Sequence, residues 1–155
     1  MKIDYNRDNY LSEFSIKTLQ DRYLLEGENS PQDAFARAAT AFSDDEAHAQ
    51  RLYDYASKLW FMFSTPVLSN GGSKRGLPIS CFLNFVEDSR QGLTGHYTEN
   101  AFLSSVGGGI GGSCSAVRSV GSKTSAGSES TGVIPFIKVV DAEMLAFSQG
   151  VTRRG

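Results

Sequence analysis

Residues 63–88 read FSTPVLSNGGSKRGLPISCFLNFVED, and the chain changes character within this stretch. Its first half contains turn-forming residues, at Asn70-Gly71-Gly72 and then at Gly76 and Pro78. Its second half has apolar residues at every other position, alternating with a mixed set: Ile79, Cys81, Leu83 and Phe85 against Ser80, Phe82, Asn84 and Val86. This pattern between turn signals predicts a largely buried strand that carries Cys81.

The residues ahead of this stretch have the periodicity of helices. The first predicted helix is Leu11–Leu25, with an apolar stripe that includes Phe14 and Leu19. For the second helix, Ser30 can cap the amino terminus and Pro31 suits the first helical position. Its apolar face is then formed by Ala34, Phe35, Ala38, Ala39 and Phe42.

A third helix is predicted from the capping-box pattern Ser43-Asp44-Asp45-Glu46. Its stripe contains Leu52, Tyr55, Ala56, Leu59, Trp60 and Phe63. Thr65-Pro66 is then expected to break the helix. Residues 1–63 are therefore predicted to form a helical region, distinct from residues 64–155.

The rest of the chain combines helices with irregular segments. Asp88-Ser89-Arg90-Gln91 can cap a helix that runs to about Ser105. The glycine-rich run Val106–Gly112 predicts no regular element, and Ser113–Arg118 is compatible with a short strand. Gly121–Gly132 consists mainly of Gly, Ser and Thr, which predicts a mobile loop. A last helix is predicted over Ile134–Ser148, and the sequence therefore indicates an α/β class.

Composition limits the possible functions. The chain has 155 residues, of which 40% are hydrophobic. This length is enough for one domain with a core but far too short for a large barrel enzyme. A net charge of −2 gives no broad reason to bind nucleic acid or an anionic membrane. The polar amino terminus lacks a signal-peptide core, and no apolar run is long enough to cross a bilayer. We expect a cytoplasmic protein without membrane or direct nucleic acid binding.

Three familiar motifs are rejected on context. Gly107, Gly109 and Gly112 satisfy G-x-G-x-x-G, but the preceding residues are predicted to be helical, whereas a dinucleotide site needs a strand there. Lys123 follows serine rather than the glycine that a phosphate-binding P-loop requires. His48 and His96 have no metal-ligand companion nearby, which favours structural or solvated roles and predicts no metal site.

The two cysteines, Cys81 and Cys114, do not form the dense pattern of a disulfide-stabilised secreted domain. Taken alone, a cysteine in an apolar strand is more often a small core residue than a reactive group. Its neighbours Thr65-Pro66 and Asp88-Ser89 belong to a family resemblance, given below, that implies a reactive thiol instead. For Cys114 the residue type favours a buried structural thiol.

The strings FSTPVLSNGG, KRGLPISCFLNFVEDS and VGGGIGGSCSAVRSVG resemble the amino-terminal part of the large (catalytic, alpha) subunit of ribonucleotide reductase. The resemblance runs from about Leu11 to Gly155. It implies a helical amino-terminal region followed by the first strands and helices of a ten-stranded α/β reductase barrel, which is incomplete here. It also implies an amino-terminal fragment without the ATP-cone that often precedes the helical region.

The resemblance assigns roles in substrate reduction. Thr65 and Ser80 match positions that contact the substrate nucleotide, and the backbone around Gly109 is expected to help hold phosphate and ribose. Small hydroxyls and bare amides can approach an anion closely. Cys81 matches one of two thiols that reduce the ribose and then form a disulfide, which is re-reduced by thiol exchange. Because its family partner lies much later in the sequence, Cys81 and Cys114 are not expected to pair.

The resemblance also implies an allosteric effector segment. Asp88, Ser89 and Arg90 match the start of the helix that binds the effector nucleotide, where a carboxylate can accept from ribose hydroxyls and amides can meet phosphate. Arg118 and the loop after it match the part that binds effector phosphates. Ser125 replaces a second phosphate-binding arginine of the family, and Lys123 is a candidate substitute.

The resemblance implies further requirements for activity. The radical-forming cysteine, the second redox cysteine and most barrel strands have no counterpart in these residues. The chain is therefore expected to bind no cofactor itself and to need a complementary carboxy-terminal reductase chain. The whole enzyme would need a radical source, either a metal-containing small subunit or adenosylcobalamin, together with thioredoxin or glutaredoxin, and would assemble as a dimer.

Two alternatives belong to other classes. A non-catalytic regulatory module would bind deoxynucleotides as an isolated chain and would be indifferent to Cys81→Ser. An inactive gene fragment would neither bind nucleotides nor complement a reductase.

Overall fold

The computed structural model describes residues 1–147 and residue 155. Its internal contacts divide the chain into two compact units, Met1–Ile79 and Ser80–Gly155. The first unit contains a 3₁₀ helix, Tyr5–Tyr10, and helices α1 (Glu13–Arg22), α2 (Pro31–Ala41), α3 (Glu46–Ser57) and α4 (Thr65–Asn70). The second contains β1 (Cys81–Phe85), α5 (Arg90–Ser105), β2 (Gly109–Ser113) and α6 (Ile134–Phe147). A helical part is therefore followed by an α/β part, as the sequence predicts, and residues 64–79 lie in the helical unit.

Helix α2 is the centre of the first unit. Ser30 caps it by accepting from the Gln32 amide, and the Asp33 carboxylate accepts from the Ser30 amide at 3.0 Å in return. This reciprocal arrangement satisfies amides that the first helical turn would otherwise leave unpaired. The predicted apolar face is fully buried at Ala34, Phe35, Ala38 and Ala39, whereas Phe42, just beyond the helix, is 45% exposed.

Helices α1 and α3 are shorter than predicted. Ser12 caps α1, whose Leu19 is buried while Phe14 is 81% exposed. Helix α3 is capped by Asp45 rather than Ser43, and it ends at Ser57 instead of Phe63. Leu59 has a φ of 61°, a left-handed conformation that an α-helix does not accommodate. The predicted helix over residues 58–63 is therefore wrong, although the apolar spacing continues.

Helix α4 begins at a position where a helix break was predicted. Pro66 occupies the second helical position, where its missing N–H is not needed. Thr65 and Pro66 therefore start a helix, and the preceding helix has already ended at Ser57. Leu68 and Ser69 of α4 are buried, which ties the helix into the core of the first unit.

The second unit is built on a β–α–β connection in which β1 and β2 pair in parallel, with Cys81 opposite Gly109 and Phe85 opposite Ser113. The prediction of no regular element at Val106–Gly112 and a strand at Ser113–Arg118 is therefore wrong. Pairing with β1 outweighs the low strand propensity of glycine. The glycines also permit close packing, because a Cβ on Gly108 would lie 2.7 Å from the Leu103 carbonyl oxygen.

The segment predicted to be a mobile loop, Gly121–Gly132, is a hydrogen-bonded hairpin. The Gly121 amide donates to the Ser130 carbonyl at 3.0 Å, and the Thr124 amide donates to the Ser128 carbonyl at 2.8 Å. Lys123 and Glu129 form an antiparallel bridge between these contacts. Non-local backbone pairing gives this polar sequence a regular structure that its composition does not predict.

Apolar side chains of the second unit are largely exposed. Strand β1 was predicted to be largely buried, but Cys81 is exposed, Leu83 is 91% exposed and Phe85 is 59% exposed. Helix α6 has no buried residue, and the last residue predicted for it, Ser148, lies outside the described residues. Strand β1 and helix α6 therefore leave apolar side chains exposed in this chain. Within residues 1–147, none of the helices combines the length and apolar character that a bilayer crossing needs.

Candidate functional site

The start of the parallel strand pair brings together three residues for which the sequence predicts roles. Cys81 begins β1 with an exposed thiol, and its register partner is Gly109 at the start of β2. The Gly109 amide donates to the Ser80 carbonyl at 2.7 Å. Ser80, Cys81 and Gly109 are therefore neighbours, although β1 and β2 are separated in sequence by a whole helix.

The amides of the glycine run are already used within the fold. Besides the Gly109 amide, the Gly107 amide donates to Ser104 and the Gly108 amide donates to Leu103. In this structure these three N–H groups therefore have backbone partners, and a role of the backbone around Gly109 in holding phosphate stays a prediction. The glycines of this segment act through their small size. They let β2 lie close to α5, and they leave the start of the strand pair uncovered beside Cys81.

Thr65 belongs to the first unit, at the first position of α4. Its Oγ1 lies 3.2 Å from the hydroxyl of Tyr23, and its carbonyl accepts from the Ser69 hydroxyl at 2.7 Å. The structure thus gives Thr65 a fixed local setting, whereas the other predicted site residues lie in the second unit.

Four of the five predicted effector residues line an open cleft of about 650 Å³ in the second unit. Asp88, Ser89, Arg90 and Arg118 all lie along it, as does Ser125. Its volume is in the range of small-molecule sites. The predicted phosphate-binding loop contributes Thr124, Glu129, Ser130 and Thr131, and residues that were not assigned to the effector site also line the cleft: Gln91, Leu93, Val117 and Phe136. Phe136 lies in the last predicted helix, and its position in the cleft depends on the tertiary fold.

An ion pair crosses this cleft. The Arg118 Nε donates to Asp88 Oδ2 at 2.8 Å, and its Nη1 donates to the Lys123 carbonyl at 2.9 Å. The two side chains are about one third exposed, which makes the pair accessible to competing ligands and to salt. Arg118 therefore joins the start of α5 to the hairpin.

Ser89 and Lys123 have structural partners of their own. The Ser89 hydroxyl caps α5 by accepting from the Gly92 amide at 2.9 Å. The Lys123 ammonium lies 3.1 Å from Glu129 across the hairpin, and both side chains are about two-thirds exposed. Lys123 is not among the residues that line the cleft. In this structure Lys123 therefore pairs with Glu129 and does not enter the cleft beside Ser125.

A buried polar chain fixes α5 against β1. Asn84 Nδ2 donates to Asn100 Oδ1 at 3.0 Å, and Asn100 Nδ2 lies 3.0 Å from His96 Nε2. His96, for which the sequence predicts a structural or solvated role, is only 7% exposed, and burial lowers its pKa although the charge of Glu99 opposes this. Neutral His96 therefore helps to hold α5 against β1, the strand that begins with Cys81.

The two thiols lie apart. Cys114 follows Ser113, at the end of β2 opposite to Gly109 and Cys81. With a rise of about 3.3 Å per residue, a five-residue strand separates its ends by roughly 13 Å, whereas a disulfide needs Cα atoms within about 7 Å. Both cysteines are free in this structure, and Cys114, predicted to be buried, is half-buried. Among the described residues, no group of three or more His, Cys, Asp or Glu side chains could hold a metal ion.

These observations define a helical unit followed by an α/β unit that carries an exposed thiol and an arginine-bearing cleft. Family models agree with this division, since residues 9–76 match "Ribonucleotide reductase, all-alpha domain" and residues 79–155 match "Ribonucleotide reductase, barrel domain". The chain belongs to the ribonucleotide reductase large-subunit family. The sheet of two strands within the described residues is accordingly part of an incomplete α/β barrel.

Individual relatives agree with the family models. The ribonucleoside-diphosphate reductase large subunits of Invertebrate iridescent viruses 6 and 3 are 42% and 44% identical over 99% of this chain. The match covers 15% and 23% of those relatives. The Actinobacillus ureae class Id ribonucleotide reductase alpha subunit superposes with a TM-score of 0.78 at 32% identity, covering 97% of this chain and 28% of that one. The chain thus spans less than a third of the length of these relatives.

Proposed function

We propose that this chain supplies the substrate-binding segments, one redox-active thiol and the specificity-effector segment of an enzyme that reduces ribonucleotides to deoxyribonucleotides. The main support is the position of Cys81. Its exposed thiol stands at the start of β1, beside Ser80 and Gly109, where a substrate can reach it.

The proposed chemistry uses Cys81 as half of a dithiol. Cys81 and a second thiol from the remaining length of the enzyme give two electrons and two protons to the ribose. The C2′–O bond breaks, the hydroxyl leaves as water, a C2′–H bond forms, and the two sulfurs join as a disulfide. A thiolate of thioredoxin or glutaredoxin then attacks this disulfide and restores both thiols. Cys114 is unsuited to the second role, because it lies at the opposite end of the strand pair.

In this proposal, Thr65 and Ser80 bind the substrate nucleotide, and Gly109 keeps the strand start open. Thr65 contributes its hydroxyl, which can donate to an anionic phosphate oxygen. Gly109 contributes space rather than its amide, because that amide is bonded to Ser80. The position is open, because a Cβ at Gly109 would meet only the Ser80 carbonyl oxygen, at 3.5 Å.

The cleft in the second unit is proposed to bind a nucleoside triphosphate effector. Asp88 accepts from the ribose hydroxyls, and Arg118 binds the phosphates. Arg90 adds positive charge in the cleft, Lys123 would have to leave Glu129 before it could bind a phosphate, and Ser89 mainly holds the start of α5 in place. In the free state Asp88 and Arg118 bind each other, so effector binding exchanges one ion pair for two new contacts.

The remaining requirements follow from the coverage of the relatives, since this chain corresponds to less than a third of their length. We propose that it functions only together with a complementary carboxy-terminal reductase polypeptide. Radical chemistry would be supplied by a metal-containing small subunit or by adenosylcobalamin, and the assembled large subunit would be a dimer.

The test is ribonucleoside diphosphate reduction by the enzyme assembled with the complementary polypeptide and a radical source. Cys81→Ser should abolish thioredoxin-dependent turnover, because serine cannot form the disulfide. Cys114→Ser is the matched control and should retain turnover. Equal activity of the Cys81→Ser enzyme and the wild-type enzyme would refute the redox role.

A regulatory module remains the second candidate, because the cleft is formed entirely by residues of the second unit. The isolated chain would then bind deoxynucleoside triphosphates without other polypeptides. Isothermal titration distinguishes the two functions when it is combined with the activity assay. Binding that is intact in Cys81→Ser, with no reduction by any assembled enzyme, would favour the regulatory module.

A further inference from the structure

The hydroxyl of Tyr23 contacts the side chain of Thr65 inside the first unit. Tyr23 is the C-cap of α1, and its hydroxyl oxygen lies 3.2 Å from Oγ1 of Thr65, the first residue of α4. The contact joins residues that are 42 positions apart, and both are half-buried. Partial burial shields the bond from competing water.

A hydroxyl can donate one hydrogen bond and accept two, whereas a phosphate oxygen at neutral pH mainly accepts. If Tyr23 donates to Thr65 Oγ1, the single proton of Thr65 remains for an anionic ligand. If Thr65 donates to Tyr23 instead, that proton is used internally. The direction of this bond therefore decides whether Thr65 can donate to a phosphate.

We propose that Tyr23 is a positioning residue for substrate binding: its phenol donates to Thr65 Oγ1 and directs the threonine proton towards a phosphate oxygen of the substrate. This inference rests on the substrate role proposed for Thr65. It extends the binding site to a residue of α1 that none of the sequence motifs indicates.

Arg37 of α2 fixes the backbone on both sides of this contact. Its Nη2 donates to the Tyr23 carbonyl at 3.3 Å and to the Leu68 carbonyl at 3.0 Å, and its Nη1 donates to the Gly71 carbonyl at 2.6 Å. The Glu28 carboxylate balances its charge at 2.6 Å, and both side chains are only 12–13% exposed. One guanidinium with its fixed fork of donors thus holds the ends of α1 and α4 at a set spacing.

The experiment measures steady-state reduction of a ribonucleoside diphosphate by the assembled enzyme carrying Tyr23→Phe, Thr65→Val or both. A single net hydrogen bond corresponds to about a threefold to tenfold change in an equilibrium constant. We expect Tyr23→Phe to raise KM by about that factor with kcat little changed. Thr65→Val should raise KM further, and the double variant should be no worse than Thr65→Val alone, because Tyr23 acts through Thr65.

Tyr5→Phe is the matched control, since it removes a tyrosine hydroxyl of the same unit that donates to Asp33 rather than to Thr65. It should leave KM unchanged. Thr65→Ser provides a second background, because it keeps the hydroxyl, and there Tyr23→Phe should again raise KM. Thermal melts of every variant separate misfolding from weakened binding.

The outcomes distinguish this inference from the function on which it rests. If Thr65→Val leaves KM unchanged, the substrate role of Thr65 is wrong and the inference falls with it. If Thr65→Val raises KM but Tyr23→Phe does not, or if the two effects multiply in the double variant, only the positioning role of Tyr23 is overturned. An equal loss of kcat in Tyr23→Phe and Tyr5→Phe would likewise overturn it.

Discussion

The two units of this chain bury different kinds of side chain. In the first unit, the buried side chains are mainly apolar: Leu19, Ala34, Phe35, Ala36, Ala38, Ala39, Ala49, Tyr53, Ala56 and Leu68. In the second unit, Val86 is the one buried hydrophobic residue among those described, while His96, Asn100 and Ser104 are buried polar residues. The first unit therefore has its own hydrophobic core, whereas the second relies on hydrogen bonds and glycine packing.

This contrast corresponds to the proposed division of roles. A unit with a closed apolar core can hold Thr65 rigidly through Tyr23 and Arg37. A unit with exposed apolar strands, in which Leu83 is 91% exposed, offers surface for further strands of a barrel. We propose that the complementary reductase polypeptide covers this face.

The largest effect is expected from truncating a core side chain of the first unit. Phe35→Ala removes a fully buried ring and should lower the free energy of unfolding by about 3–5 kcal/mol. Leu83→Ala, in the second unit, should change it by less than about 0.5 kcal/mol, because Leu83 is 91% exposed in this chain. Urea denaturation followed by circular dichroism measures both. Similar losses in the two variants would remove the distinction between the units.

A smaller effect is expected where glycine packs against the buried polar chain. A Cβ on Gly112 would lie 2.9 Å from Cε1 of His96 and 3.2 Å from Oδ1 of Asn84. Gly112→Ala should therefore destabilise the second unit by about 1–3 kcal/mol. Gly109→Ala is the control, because its Cβ would meet only the Ser80 carbonyl oxygen at 3.5 Å. Hydrogen exchange of the β1 amides should accelerate in the first variant and not in the second.

The capping box gives an effect of about 1 kcal/mol in the first unit. Burial tends to raise the pKa of Asp33, but hydrogen bonds from the Asn29 and Ser30 amides and from Tyr5 leave it below the ordinary value of 3.8. A carboxylate with a lowered folded pKa stabilises the fold above its ordinary pKa, and this stability is lost as the pH falls through the folded value.

Asp33→Asn should therefore cost about 1 kcal/mol at neutral pH and should flatten the acid side of the stability curve. Measuring the free energy of unfolding from about pH 7 down to about pH 3 checks both features. If the Asp33→Asn variant loses stability on acidification as steeply as the wild type, this account of the capping box is contradicted.

The smallest effect concerns the pH dependence of the second unit. Burial lowers the pKa of His96 below its ordinary value of 6.5. As the pH falls, His96 of the unfolded chain therefore binds a proton at a higher pH than His96 of the folded chain. Stability should consequently be complete above pH 6.5 and should decline as the pH falls below this value, towards the lower folded pKa. His96→Gln can keep a hydrogen bond to Asn100 and should remove the decline. His48→Gln, at an exposed helix start in the first unit, serves as the control.

Local chemistry made part of the fold predictable. The start of α2 follows from Ser30 and Pro31, and the start of α5 follows from Ser89, because side-chain caps act over three or four residues. The end of α3 was missed because aromatic residues continue the apolar spacing after Leu59 has left the helical conformation. Strand β2 was missed because its partner β1 lies on the far side of a helix.

Residues of the candidate site could be predicted from the sequence, but the contacts between their side chains could not. The sequence indicated Asp88 and Arg118 separately, yet their ion pair spans 30 positions and depends on the tertiary fold. The contact between Tyr23 and Thr65 was invisible for the same reason. The structure also shows that the Gly109 amide and the Lys123 ammonium already have partners, which residue type alone cannot reveal.

The most direct test of the account is to identify which thiol is oxidised in one turnover. The assembled enzyme, fully reduced and then freed of external reductant, is given one equivalent of ribonucleoside diphosphate, quenched with an alkylating reagent and mapped by mass spectrometry. The account predicts that Cys81 appears in a disulfide with a cysteine of the complementary polypeptide, while Cys114 is alkylated. Product formation with Cys81 still alkylated as a free thiol would contradict it.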